Sequence, residues 1–154
     1  MSLFYYADSS ALVKRHIPEI GSAWIEQEFD AASGNTVISA KITVIEVLSA
    51  MNRRRREADI SQTEYEKFSG DFLAFVENDY KIFELTDAVL LEAQRLLENY
   101  PLRAGDAIQL ASAWLANSQL QSAKLPALIF LASDVRLLSA AKDEGLQTDD
   151  PQNH

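Results

Sequence analysis

The stretch LFYYADSSALVKRH, residues 3–16, joins a strand to a helix through one acidic residue. Residues 3–7 are apolar and aromatic, which predicts a short buried β-strand. Residues 10–16 predict a helix, and Asp8 supplies N-cap chemistry ahead of it. A strand that leads directly into a helix is the first half of a parallel βα unit. The stretch therefore predicts an α/β protein.

The same alternation of strand and helix signals continues along the chain as far as Gly145, which suits a C′ position. Two of the helices open with capping-box patterns, Thr43 with Glu46 and Ser61 with Glu64. Alternating elements predict a parallel sheet with helices on both faces and a binding site outside the carboxyl ends of its strands. The further predicted strands are residues 36–40, 81–85 and 128–131, and the further helices are residues 21–32, 43–58, 61–76, 86–100, 106–117 and 134–144.

Length and composition fit one compact domain. The 154 residues are 47% hydrophobic and 24% charged, which is ordinary for a globular protein with one core. We expect one domain over residues 1–154, with its core over about residues 3–146 and a short C-terminal tail. No apolar run could span a bilayer, the N-terminus lacks a secretory pattern, and there are no cysteines. These features predict a cytoplasmic protein without a membrane segment.

The net charge of −9 argues against a protein that binds nucleic acid through overall positive charge. The exception is a basic run that continues the helix carrying Glu46, formed by Arg53, Arg54, Arg55 and Arg56. The dipole at a helix C-terminus favours cations, which explains the run without any ligand. The same side chains are also free to meet RNA phosphates, so both interpretations stay open.

Four acidic residues each follow or open an apolar segment, and they are Asp8, Glu46, Asp106 and Asp134. Burying an unpaired carboxylate costs several kcal/mol, so acids among Ala, Leu and Ile need a compensating partner. Asp8 and Asp134 come just after predicted strands, where a parallel sheet places its binding site. A divalent cation would compensate several of these charges at once.

Each acid also has a simpler explanation when taken alone. Asp8 and Asp134 suit N-caps, and Glu46 suits the third position of a capping box after Thr43. Asp106 is harder to explain, because the next ten residues of its predicted helix carry no formal charge. Acids from four segments together favour a metal site. Oxygen ligands, with no Cys and only two His in the chain, suit Mg²⁺ or Mn²⁺ rather than zinc.

Sequence patterns of other catalytic classes are missing. The chain has no GxSxG nucleophile elbow, no HExxH zinc motif and neither of the glycine-rich loops GxxxxGK[ST] and GxGxxG. A second aspartate two positions after Asp8 is also absent, which argues against an aspartyl-phosphate enzyme.

Four segments together resemble a known family. They are YYADSSALVKRHIPEIGSAWI (5–25), ISAKITVIEVLSAMNRR (38–54), LRAGDAIQLASA (102–113) and FLASDVRLLSAAKDEGL (130–146). In this order they are similar to the four acidic motifs of PIN-domain ribonucleases of the VapC toxin type. The resemblance covers nearly the whole chain, and four motifs in order are far more specific than any one of them.

The resemblance implies a three-layer α/β/α fold with a five-stranded parallel sheet in the order 3-2-1-4-5. It implies that Asp8 and Asp106 are the principal ligands of one or two Mg²⁺ or Mn²⁺ ions. Glu46 would act directly or through water, and Asp134 would complete the site or position the attacking water. One departure concerns Ala132, which stands where many relatives carry a threonine. Asp149 and Asp150 match no ligand of the family and are expected on the surface.

The function implied by the resemblance is a metal-dependent endoribonuclease, the toxin of a type II toxin–antitoxin pair that a small antitoxin neutralises. One alternative is a non-catalytic PIN-like module that binds RNA or a protein, which Ala132 keeps open. Another is a metal-dependent phosphohydrolase on a different α/β fold.

A homodimer is expected partly from the resemblance and partly from the apolar content of the chain. One predicted helix carries an aromatic stripe, and another carries Trp114 and Leu115, which together exceed what one small core obviously needs. We expect the contact in the segment of residues 61–80, whose stripe is Tyr65, Phe68, Phe72, Phe75 and Val76.

Overall fold

One parallel sheet organises the protein, as seen in a computed structural model that describes residues 2–154. Its strand order is β3-β2-β1-β4-β5, with Tyr6 of β1 beside Ile38 of β2 and Phe130 of β4. The five-stranded parallel sheet expected from the resemblance is confirmed. The strands are β1 (Phe4–Ala7), β2 (Thr36–Ala40), β3 (Lys81–Phe83), β4 (Ile129–Leu131) and β5 (Gln147–Asp149).

Seven α-helices cover the two faces of the sheet, because a buried parallel sheet needs apolar cover on both sides. The first four pack on one face and the last three on the other. Two 3₁₀ turns, Ala31–Ser33 and Pro151–Asn153, complete the chain. The helices are α1 (Ser9–His16), α2 (Ser22–Phe29), α3 (Lys41–Arg56), α4 (Gln62–Asn78), α5 (Asp87–Asn99), α6 (Ala104–Ser122) and α7 (Val135–Asp143).

Alternation along β1 divides the apolar residues into two cores. Tyr5 joins the core beneath α1 to α4, and Tyr6 joins the core beneath α5 to α7, since successive strand residues point to opposite faces. The Tyr6 ring stacks on Phe130 with ring centroids 5.5 Å apart. The fold thus holds β1 from both sides and fixes the place where it ends.

Some helix boundaries differ from the sequence patterns. Helix α3 starts at Lys41, directly after β2, so Thr43 is its third residue, and the Thr43 hydroxyl accepts from Ala40 N–H at 3.3 Å. The prediction that Thr43 and Glu46 form a capping box is therefore wrong, and Glu46 is left free for another role. Helix α6 begins at Ala104, two residues before the predicted start.

The capping box of α4 is confirmed. The Ser61 hydroxyl accepts from Glu64 N–H at 3.0 Å, and the Glu64 carboxylate accepts from Ser61 N–H at 2.9 Å. The aromatic stripe that follows packs inward: Phe72 is fully buried, and Tyr65, Phe68 and Phe75 lie against the same core. The stripe is therefore not surplus apolar surface and does not support a dimer contact. The homodimer remains a prediction from the resemblance.

The expected C-terminal tail is part of the folded core. β5 pairs with β4, and Pro151 in the following 3₁₀ turn is buried against α2. The polar strand sequence Gln-Thr-Asp lacks an apolar pattern, which is why it is missed as a strand. Asp150, expected on the surface, is half-buried and accepts from the Ser133 hydroxyl at 3.0 Å. None of the helices in residues 2–154 is long and apolar enough to cross a membrane.

Substitution of Gly21 tests the docking of the C-terminal turn. Gly21 has φ +95°, and a Cβ there would lie 2.6 Å from the carbonyl oxygen of Pro151. Gly21→Ala should lower the free energy of unfolding by about 1–3 kcal/mol in urea denaturation, since backbone strain and a clash act together. The control is Gly70→Ala in α4, where nothing lies within 4 Å of the added Cβ. It should raise stability by about 0.5–1 kcal/mol. Equal stability of Gly21→Ala and the parent would show that the turn is not docked.

Candidate active site

The four acids approach one edge of the sheet from four different elements. Asp8 follows β1 and Asp134 follows β4, and these two strands are neighbours in the centre of the sheet. Glu46 lies in the second turn of α3, and Asp106 lies in the first turn of α6. This is the carboxyl edge of the sheet, where α/β folds place their binding sites.

Asp8 is both an N-cap and a buried acid. Its Oδ1 accepts from Ala11 N–H at 3.0 Å and from the Ser10 hydroxyl at 2.6 Å, so the cap function is confirmed. Within residues 2–154 no donor bonds to Oδ2. The side chain is only 5% exposed. One oxygen of Asp8 thus anchors α1, and the other remains available for a ligand.

Burial raises the pKa of Asp8 to about 7, and repulsion from Glu46 and Asp106 adds to the rise. The hydrogen bonds from Ser10 and Ala11 lower the pKa but do not cancel the larger effect of burial. Among the groups that shift the pKa of Asp8, none is a Lys or Arg side chain that would offset its charge.

The pKa values of Glu46 and Asp106 are raised in the same way. Burial raises the pKa of Glu46, and repulsion from Asp106 adds to it, against the hydrogen bond from Gln109. Burial also raises the pKa of Asp106, with a further rise from Asp134 and a partial offset from Arg103. The four carboxylates therefore form one electrostatic unit in which each repels its neighbours.

A cleft of about 880 Å³ opens beside the acids. Glu46, Asp106 and Asp134 line it, while Asp8 is buried next to it. Three arginines from different parts of the chain share the same walls, together with a short apolar patch. The remaining lining residues are Ser9, Arg53, Pro101, Leu102, Arg103, Gly105, Val135 and Arg136.

Asp134 stands at the mouth of this cleft. Its Oδ1 accepts from the N–H groups of Arg136 at 2.8 Å and Leu137 at 3.1 Å, so it caps α7 as the sequence suggests. The residue is exposed, in contrast to Asp8. Its negative charge adds to the rise in the pKa of Asp106.

The residues before Asp134 show the surroundings of Ala132, where the chain departs from the pattern that the resemblance implies. Ala132 is fully buried, and the Ser133 hydroxyl donates to Asp150 and not to an acid of the cluster. The N–H of Ser133 donates at 3.0 Å to the hydroxyl of Ser10, which in turn donates to Asp8. Ser10 therefore ties the loop before α7 to Asp8.

The basic run does not act as one patch. Of its four arginines, Arg53 lines the acidic cleft. Arg54 pairs instead with Glu19 at 3.1 Å and with Asp59 at 3.2 Å. Of the four arginines predicted to contact phosphates, Arg53 therefore lies at the cleft, while Arg54 is paired with carboxylates elsewhere.

The other two arginines of the run lie away from the cleft. Arg55 donates to Asn52 at 3.0 Å and to Gln62 at 3.2 Å, and its guanidinium lies over the Tyr65 ring. Arg56 is exposed and is not among the residues that line the cleft. For Arg55 and Arg56, the favourable interaction of cations with a helix C-terminus is a sufficient explanation.

The donor chemistry of the cluster fits a hard divalent cation. All four side chains offer carboxylate oxygens, which suit Mg²⁺ and Mn²⁺. A cation would offset the burial and the mutual repulsion that raise the pKa values of Asp8, Glu46 and Asp106. As placed here, no three His, Cys, Asp or Glu side chains in residues 2–154 have the spacing of a closed metal site. The fit is therefore one of chemistry and position, and the side chains would have to draw together around an ion.

Comparison with known proteins agrees with the fold and the motifs. The PIN domain family matches residues 5–142. Ribonuclease VapC45 of Mycobacterium tuberculosis is 30% identical over 94% of this chain and 93% of its own length. The crystal structure of VapBC2 from Rickettsia felis, bound to a DNA fragment from its promoter, aligns with a TM-score of 0.62 at 11% identity, covering 96% of this chain and 98% of that one. A toxin–antitoxin complex from Klebsiella pneumoniae aligns with a TM-score of 0.56 at 15% identity, covering 88% and 90%.

The sheet order and the acids at its carboxyl edge define a three-layer α/β/α protein with an acidic cleft. The chain belongs to the PIN domain family.

Stability without metal should depend on pH through Asp8. An unfolded aspartate has a pKa near 3.9, and the folded value is about 7, so the folded state binds the proton more tightly. The contribution of Asp8 to stability should therefore fall as the pH rises from about 4 to about 7. Asp8→Asn keeps an acceptor for Ala11 N–H and cannot ionise. In EDTA at pH 8 it should be more stable than the parent, by up to roughly 4 kcal/mol.

The control for this measurement is Asp30→Asn. Asp30 is an exposed cap that accepts from Ala32 N–H at 2.7 Å, and it is not among the residues lining the cleft. Calorimetric melting at pH 5 and pH 8 should give parallel results for this variant and the parent. If the stability of the parent relative to Asp8→Asn does not fall between these pH values, the raised pKa of Asp8 is contradicted.

Proposed function

We propose that this protein is a divalent-metal-dependent endoribonuclease. The observation that carries the proposal is the gathering of four mutually repelling carboxylates at the carboxyl edge of the sheet, beside an open cleft. The curated relative that spans nearly the whole chain is named a ribonuclease, which supports RNA as the substrate. The fold and family membership agree with this reading.

The chain's own residues prepare the site in distinct ways. Asp8, Glu46 and Asp106 would hold Mg²⁺ or Mn²⁺, with Asp134 at the rim. Such an ion, when bound, polarises the scissile phosphate and lowers the pKa of a bound water. Asp8 is held in place by the cap of α1, and its burial excludes solvent from its side of the site.

Arginines around the cleft would bind the phosphates of the substrate. Arg53, Arg103 and Arg136 line the same cavity as the acids, although they come from α3, the start of α6 and α7. Cations spaced around an acidic centre attract a polyanion while the centre itself is neutralised by metal. This arrangement explains how a chain with net charge −9 can bind RNA. Arg136 does not stand out in the sequence, because it lies alone in an ordinary amphipathic helix.

We also propose that the protein is the toxin of a toxin–antitoxin pair and acts in the cytoplasm. One structural neighbour is a toxin–antitoxin complex, which supports a small protein partner. The acidic character of the chain suits a partner with a basic inhibitory segment, since opposite charges steer association. The homodimer expected from the resemblance belongs to the same proposal.

Cleavage assays on single variants test the catalytic part. Asp106→Asn and Asp8→Asn should each abolish Mn²⁺-dependent cleavage of single-stranded RNA while circular dichroism shows an intact fold. Asp30→Asn, an exposed cap outside the cleft lining, should cleave at the parental rate. Cleavage that survives both substitutions would contradict the assignment of Asp8 and Asp106 to the active site of a nuclease. A parent that binds RNA and does not cleave it would favour the non-catalytic module instead.

Two neighbouring arginines provide a matched test of substrate binding. Arg53 lines the cleft, and Arg56, three residues later in the same helix, does not. In an Asp106→Asn background, which prevents cleavage, Arg53→Gln should weaken RNA binding and lower the salt slope by about one unit. Arg56→Gln removes the same charge and should change the slope much less. Equal slopes for the two variants would show that only overall charge matters.

A further inference from the structure

A buried chain of polar groups runs from the sheet to Glu46. The Nε2 of Gln109 in α6 donates to Glu46 Oε1 at 2.5 Å and to the Thr43 hydroxyl at 2.7 Å. Its Oε1 accepts from the Tyr6 hydroxyl at 2.6 Å, and the Thr43 hydroxyl lies 3.0 Å from the same oxygen. Tyr6, Thr43 and Gln109 are each at most 1% exposed. Side chains of β1, α3 and α6 are thus joined in one network.

The carboxylate end of this network fixes the direction of the Gln109 amide. An ionised carboxylate only accepts hydrogen bonds, so the NH₂ group must face Glu46. The amide oxygen then faces Tyr6, whose hydroxyl donates to it. The hydroxyls of Tyr6 and Thr43 can each donate or accept, and they follow the direction that Glu46 imposes. If the amide turned over, its oxygen would face the Glu46 carboxylate, and neither group could donate to the other.

Gln109 lies on the same side of α6 as an acid that lines the cleft. Gln109 follows Asp106 by three residues, so both lie on one side of α6. Asp106 lines the cleft directly, and Gln109 lies fully buried and holds the acid of the neighbouring helix α3. One side of α6 therefore supplies an acid and the support for a second acid.

The second oxygen of Glu46 is treated differently from the first. Oε1 is taken by Gln109, while Oε2 lies close to Gly105, where an added Cβ would be only 3.1 Å away. A glycine at this position leaves room for the carboxylate at the wall of the cleft. Glu46 is thus held by one oxygen and keeps the other for the site.

We propose that Gln109 is a positioning residue that fixes the Glu46 carboxylate with one oxygen turned toward the cleft, and that the Tyr6 hydroxyl holds the Gln109 amide in place through the hydrogen bond to its oxygen. This inference rests on the proposed function, in which Glu46 helps to hold the metal. Gln109 itself touches neither ion nor substrate and acts through Glu46. Residues that orient metal ligands in this way typically change metal affinity 10–100-fold when they are replaced.

The test is calorimetric titration of the whole chain with Mn²⁺. Gln109→Met keeps the length of the side chain and removes the amide, and it should weaken Mn²⁺ binding by about 10–100-fold. In a Glu46→Gln background the same substitution should produce no further loss, because the residue through which Gln109 acts has already been changed. A purely structural effect on the fold would weaken binding equally in both backgrounds.

A second buried amide of α6 provides the matched control. The Asn117 side chain is 8% exposed and accepts from Leu128 N–H at 2.9 Å, with no contact to Glu46. Asn117→Leu should lower the melting temperature while leaving the Mn²⁺ affinity unchanged.

Unchanged affinity in Gln109→Met, or an equal loss in the Glu46→Gln background, would overturn the proposal. If Gln109→Met does not fold, Tyr6→Phe decides, since it removes only the hydroxyl that holds the amide oxygen. Weaker Mn²⁺ binding by Tyr6→Phe supports the proposal, and unchanged binding overturns it. A parent chain that binds no Mn²⁺ contradicts the proposed metal site itself, and the role of Gln109 falls with it.

Discussion

The burial of the Asp8 carboxylate at the end of β1 is the constraint on which the rest of the site depends. Its strand is held between two cores by Tyr5 and Tyr6, so the position of the acid is set by the centre of the sheet. Its Oδ1 caps α1 and accepts from the Ser10 hydroxyl. That hydroxyl in turn accepts from Ser133 N–H in the loop before α7. Removing Asp8 from the interior would therefore disturb α1 and the approach to Asp134 together. The fold tolerates a buried charge here because the same carboxylate performs a structural task.

A similar double use recurs at Asp134. Asp134 caps α7 while it raises the pKa of Asp106. For these aspartates, an N-cap and a functional acid are not competing explanations, since one oxygen satisfies backbone N–H groups and leaves the rest of the carboxylate for the cleft. Repulsion among the acids lowers the stability of the protein, and a bound cation would restore that stability.

Much of this arrangement follows from the sequence, and the parts that do not have physical reasons. The strand–acid–helix order around Asp8 and Asp134 predicts their place at the sheet edge, because parallel strands end on one side. The capping box assigned to Thr43 and Glu46 is wrong because β2 runs into α3 without a loop. β5 escapes detection because its residues are polar. Gln109 is missed although a signal exists, an amide one turn after Asp106 in the apolar first half of its helix. The division of the arginine run also depends on tertiary contacts, since Arg54 finds its carboxylate partner at Glu19.

We propose that the carboxylates at the carboxyl edge of the sheet gather around a divalent cation. Anomalous diffraction from crystals grown with Mn²⁺ locates such an ion without reference to activity. An anomalous peak is expected in the cleft within coordination distance of Asp8, Glu46 and Asp106, with the Glu46 side chain still bonded to Gln109. Mn²⁺ bound only at another surface, with no peak in the cleft, would show that these carboxylates do not form the metal site.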